Sequence, residues 1–185
     1  MKKQKRTAFT LVLFAVLAVT GMAQVASAAS AGEIDTKVDG TLEAFKKQVP
    51  GGSEFLGKAS GALVFPTITK AGLVVGGEFG EGALRVGGKS VGYYNIASAS
   101  FGLQIGAQQY SIVMVFQSDE ALKDFRESKG WEAGVDGSVA VAEWGAGDDI
   151  NTKTFKDPIV AFVFGNKGLM AGVSIEGSKI TNIDK

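Results

Sequence analysis

The sequence predicts an α+β domain, a coiled and partly barrel-like antiparallel sheet with an N-terminal helical segment and one inserted helix. An apolar stripe at spacings of three and four occupies 33–49, glycine-punctuated apolar segments fill most of the chain beyond it, and two of those segments are apolar on both faces. Glycine stands at 26 residues against 3 prolines without an every-third-residue period, so tight turns and close strand approaches are expected rather than collagen.

The first 28 residues read as a leader rather than as fold. Lys2, Lys3, Lys5 and Arg6 precede an apolar run over 8–21, and Ala26-Ser27-Ala28 completes the three-part layout of a secretory signal peptide. The run is shorter than the ~20 residues that span a bilayer, and small residues follow it, which argues against a retained anchor. Cleavage after Ala28 is expected, leaving residues 29–185 as one domain of an exported protein, periplasmic or secreted. All four leader charges are positive, so the remaining 157 residues hold 15 basic and 19 acidic side chains, a net charge of −4. A nucleic-acid partner is not expected of such a surface.

In the 33–49 helix the stripe is Ile34, Val38, Leu42, Phe45 and Val49, with acids early and Lys46 and Lys47 late, as the helix dipole favours. Pro50-Gly51-Gly52 ends it, and a short second helix is expected over 53–58. Segment 62–65 leads into the sheet, and beyond Pro66 the strands are expected at 73–79, 82–86, 96–108, 111–116, 135–144, 159–164 and 170–176. Segments 112–116 and 159–164 lack a polar face, so both sides must be covered. Gly165-Asn166-Lys167-Gly168 reads as a hairpin turn. Between strands, Ser118 is placed to cap a helix with Asp119 and Glu120 in its first turn, Leu122 and Phe125 on its apolar face, and Gly130 as its C-cap. Glycine followed by an aliphatic residue recurs at Gly72, Gly102, Gly134 and Gly172, consistent with a sheet that bends at matching places.

Catalytic chemistry is sharply bounded. The chain has no Cys and no His, which excludes thiol nucleophiles, zinc-thiolate sites, an acylated lipoprotein cysteine and histidine triads. Gly76-Gly77-Glu78-Phe79-Gly80-Glu81-Gly82 fits neither phosphate-loop pattern, and its carboxylates would repel phosphate, so it reads as a turn between two strands. Asp148-Asp149-Ile150-Asn151 lacks the spacing of a calcium loop and reads as an exposed loop. Tyr93, Tyr94, Trp131 and Trp144 are candidates for a ligand platform or for core packing. No metal site, cofactor or catalytic residue is expected, and the chain is read as a non-enzyme.

The blocks Leu63-Val64-Phe65-Pro66, Lys70-Ala71-Gly72, Gly76–Gly82, Ser100–Ala107, Asp119–Leu122, Gly134–Ala140, Pro158–Val160 and Lys167–Gly177 follow one another in an order and spacing that resemble the SYLF-domain family, over roughly 42–183. The resemblance implies a lipid-binding domain. Eukaryotic members bind phosphoinositides (phosphatidylinositol binding), some bind or bundle actin, and bacterial members are exported. In those eukaryotes lipid binding is attributed to a basic amphipathic N-terminal helix, whereas the helix here has four acids against three lysines.

The expected function is non-enzymatic binding of lipid or a membrane surface in the bacterial cell envelope. The alternative is a structural or protein-interaction module without a lipid ligand. Candidate lipid contacts are Lys37, Phe45, Lys46 and Lys47 on the N-terminal helix, and Lys70. Either the stripe buries itself at a membrane interface with the lysines on anionic headgroups, or it packs on the sheet.

Overall fold

A computed structural model describes residues 29–72, 75–101, 106–142, 156–165, 168–169 and 174–185. The expected helices form as α1 (Ala31–Gln48), α2 (Gly52–Lys58) and α3 (Asp119–Glu127). Ser30 caps α1 in a reciprocal box with Glu33: the Ser30 amide donates to the Glu33 carboxylate at 2.8 Å, and the Glu33 amide donates back to Ser30 Oγ. Ser118 caps α3 as expected, but Ser128 rather than Gly130 ends it, in extended backbone with no left-handed residue.

Among the described residues nine strands make one sheet: β1 (Gly61–Gly72), β2 (Val75–Val86), β3 (Lys89–Phe101), β4 (Gly106–Phe116), β5 (Trp131–Glu132), β6 (Val139–Ala142), β7 (Ile159–Gly165), β8 (Gly168–Leu169) and β9 (Lys179–Ile183). Their order is β5-β9-β3-β2-β1-β4-β7-β6, with β8 also on β7. Every pairing is antiparallel except β6 on β7, a departure from the wholly antiparallel sheet expected. The β7–β8 hairpin is present, with Gly165 opposite Gly168.

Two sequence readings are corrected at β1 and β2. Pro66 does not precede the sheet but lies inside β1, and the glycine-rich run 76–82 is not a turn but the middle of β2. Both follow from one β-bulge. Phe65 and Pro66 together oppose Gly82 of β2, and Pro66 and Thr67 together oppose Ser111 of β4, whose hydroxyl donates to the Pro66 carbonyl at 2.8 Å. Proline lacks the ladder donor, and the bulge is where a strand tolerates that loss. Gly82 is required there, because a Cβ would stand 2.0 Å from the Val64 carbonyl oxygen. The extra residue also turns Ile68 inward, although it lies three positions after the inward Phe65.

Other corrections are local. Gly134-Val135-Asp136-Gly137 is a turn, with Gly134 at φ +82 and Val135 exposed, so of the recurring glycines Gly134 does not lie in a strand, while Gly72 ends β1 and Gly102 and Gly172 lie outside the described residues. The described part of 170–176 is not strand, while β5 and β9 arise where no strand was expected. Residues 73–74, 102–105, 143–155 and 170–173, with Trp144 and the 148–151 loop, lie outside the described residues.

The sheet separates two cores. On its outer face α1 and α2 cover Val64, Ala83, Val113, Val115, Phe162 and Phe164. On its inner face Leu63, Phe65, Ile112, Met114 and Phe116 pack with Leu122 and Phe125 of α3. β4 and β7 are therefore covered on both sides, as their sequences require. The Phe125 ring lies 5.1 Å from both Tyr94 of β3 and Phe116 of β4. Those strands are three spacings apart, about 14 Å in a flat sheet, so the sheet must curl around α3.

Candidate functional site

Alternation along β2 sends Glu78 inward and Phe79 and Glu81 outward. On the inner face Glu78 is buried between Lys70 of β1, at 2.7 Å, and the hydroxyl of Tyr110 of β4, which donates to its other oxygen. Burial, and then the hydrogen bond to Glu78, push the Tyr110 hydroxyl well above the usual tyrosine range. The cluster is a lysine and a neutral hydroxyl satisfying one carboxylate. It offers no free base or nucleophile, and Lys70 is committed to Glu78 rather than presented to a surface.

On the outer face, α1 stops short of the far ends of β1 and β2. A cavity of about 180 Å³ opens there, bounded by Ile34 and Lys37 of α1, Thr67 and Thr69 of β1, and Phe79 and Glu81 of β2. Phe79 is 53% exposed and stands between Thr69 and Ala97 on its neighbouring strands, with exposed Ala71 and Ala99 on the same face. The volume is below the ~300 Å³ at which pockets begin to enclose a drug-sized ligand, so this site can seat a headgroup or an edge of a partner but not a whole acyl chain. At the rim Glu81 accepts from the Ala29 amide at 3.2 Å and from Lys185 Nζ at 3.0 Å.

The other candidate lipid contacts fall elsewhere. Phe45 is fully buried, its ring edge-on to Phe162 at 4.9 Å, so the α1 stripe packs on the sheet. Lys46 pairs with Glu43 at 2.8 Å, and Lys47 is exposed in the same last turn. Only Lys37 reaches the cavity. Tyr94 and Trp131 are core residues, whereas Tyr93 faces α1 and donates to Asp35 at 3.0 Å. Phe79, Glu81 and Lys185 were not anticipated. For Phe79 and Glu81 the signal was the alternation of 77–83, which becomes visible only when that run is read as a strand; Lys185 carried no local signal.

Among the described residues no group of three or more acidic residues could hold a metal, and no helix is long and apolar enough to cross a membrane. Residues 97–185, just under half of the chain, match the protein-family model Ysc84, described as Las17-binding protein actin regulator. Over these residues the chain is similar to the Ysc84 (SYLF) family. A comparison with curated proteins finds no match. The Ysc84 segment supplies β4 to β9, α3 and the inner core they share, and it ends on Lys185. Lys37 and Phe79 lie ahead of it, brought to its border by the shared sheet and by the Lys185–Glu81 pair. The family description is that of a binding protein, which agrees with a non-enzymatic binding module.

Proposed function

We propose that the protein binds lipid or a membrane surface in the bacterial cell envelope, through the outer sheet face around Phe79 and Lys37, after export and cleavage at Ala28. The observation that supports this most is Phe79, a large apolar side chain half in water beside a lysine, on a sheet face that α1 leaves uncovered. Burying the exposed half of a phenylalanine is worth about 1–1.5 kcal/mol, which is weak attachment and needs a companion contact. Lys37 supplies one, a cation for a phosphate-bearing headgroup. With a net charge of −4 after cleavage, long-range attraction to anionic lipid is small, so binding should depend on apolar area more than on salt.

The family description favours a second reading, a protein-interaction module without a lipid ligand, in which the same face meets an envelope protein. Flotation of the exported protein with phosphatidylethanolamine–phosphatidylglycerol vesicles separates the two. Wild type is expected to float, and Phe79→Ser to stay with the soluble fraction at an unchanged thermal midpoint. Wild type that fails to float at low and moderate salt favours the protein-interaction reading.

A further inference from the structure

We propose that processing after Ala28 closes an ionic latch, in which the new α-ammonium of Ala29 pairs with Glu81 and joins the start of the domain to Lys185. The inference rests on the exported, processed reading above. Glu81 lies 52 residues from Ala29 in sequence, yet its Oε2 accepts the Ala29 backbone N–H at 3.2 Å. Lys185 completes the ring, donating from Nζ to Glu81 Oε1 at 3.0 Å and to the Ala29 carbonyl at 2.8 Å. Side chains on both sides are largely withdrawn from water, at 8% exposure for Lys185 and 19% for Glu81.

In the uncleaved chain the Ala29 nitrogen is a neutral amide. Hydrolysis of the Ala28–Ala29 bond gives Ala28 a carboxylate and Ala29 an amine, which is protonated at neutral pH. The same nitrogen then offers a full positive charge to a carboxylate already within reach, and a charge-assisted hydrogen bond is about twice as strong as a neutral one. Cleavage at a bond further upstream leaves an amide at this position and cleavage further downstream removes the nitrogen, so only hydrolysis of this bond places an ammonium beside Glu81.

An ammonium directly ahead of a helix is opposed by the positive end of the helix dipole. Glu33, held at the cap by Ser30, and Glu81 across the gap supply the negative charge that offsets it. Lys37 and Lys185 are the cations facing these two carboxylates, and the new amine joins them.

The test exports the full chain, with and without one glycine inserted between Ala28 and Ala29, in wild-type and Glu81→Gln backgrounds. Intact mass identifies the first residue of each product. The insertion moves the ammonium outward by one residue, about 3.8 Å between Cα atoms, while leaving an amide at Glu81. It is expected to lower the thermal midpoint by about 2–4 °C in wild type and to leave it unchanged in Glu81→Gln. Equal shifts in both backgrounds, or no shift in wild type, overturn the latch alone. A wild-type product that does not begin at Ala29 overturns the processing reading and the latch together.

Discussion

Arg85 of β2 holds the Asp39 carboxylate of α1 at 2.6 Å, and the same guanidinium nitrogen donates to the Asp35 carbonyl at 3.2 Å. Asp35 in turn accepts from Ser90 at 2.6 Å and from Tyr93 at 3.0 Å, both on β3. These contacts tie α1 to two strands on its polar side while Ile34, Val38 and Phe45 bury its apolar side. The helix is a fixed layer of the domain, and the surface left for a partner is the sheet beyond its first turn.

Removing the tie should therefore loosen the helix. Arg85→Ala is expected to cost about 1–3 kcal/mol in urea denaturation, since its side chain is largely buried and leaves hydrogen-bond acceptors behind. Asp39→Ala should cost under about 1 kcal/mol, because that carboxylate is mostly in solvent. Equal losses for the two would show that Arg85 acts only through its pair with Asp39, and that neither its packing nor its bond to the Asp35 carbonyl contributes.

The two cores should each depend on their aromatic centre. Phe45→Ala on the outer side and Phe116→Ala on the inner side are each expected to cost about 3–5 kcal/mol, whereas Lys89→Ala, beside the β2–β3 turn, should stay within about 0.5 kcal/mol. A small loss at either phenylalanine would mean that its side of the sheet is not packed as described.

Two glycine substitutions should move stability in opposite directions. Gly82→Ala drives a Cβ into the Val64 carbonyl and should prevent native folding or cost several kcal/mol, about 3 or more. Gly40→Ala meets nothing within 4 Å on the exposed side of α1 and should stabilise by about 0.5–1 kcal/mol through helix propensity. Thermal melts of both variants check the signs.

Alkaline pH should expose Tyr110. Its hydroxyl is held above the ordinary range by burial first and then by Glu78, so the folded state retains a proton that the unfolded chain gives up near pH 10. The stability this confers is complete below about pH 10 and is lost as pH rises beyond it. Urea denaturation from pH 8 to 11 should show wild type falling more steeply than Tyr110→Phe; parallel curves would contradict the assignment.

Helices were legible because their signals are local: the Ser118 cap, the stripe of α1, and the Pro50-Gly51 stop all act within a few residues, as does the Ser30–Glu33 box that the sequence reading missed. The doubly covered strands were legible from their lack of any polar face. What escaped was set by partners distant in sequence. Pro66 and Gly82 look like breakers alone and make sense only as opposite sides of one bulge. Phe45 looked available for a membrane because the ring that covers it, Phe162, lies in a strand more than a hundred residues away. The Val86-Gly87-Gly88-Lys89 hairpin was missed, with the next strand expected only from 96, although its two glycines take the two positive φ angles of a tight hairpin, 57° and 78°.

The chain has no cysteine, so a single fluorophore can be placed at Ala99→Cys, exposed on the same sheet face with Phe79 intact, and Val135→Cys serves as a control on an exposed turn of a different element. Fluorescence of each labelled, exported protein would be recorded while phosphatidylethanolamine–phosphatidylglycerol vesicles are added. A blue shift at position 99, with no shift at 135, is the result predicted for a membrane-binding sheet face. An unchanged spectrum at 99, or equal shifts at both positions, would contradict it.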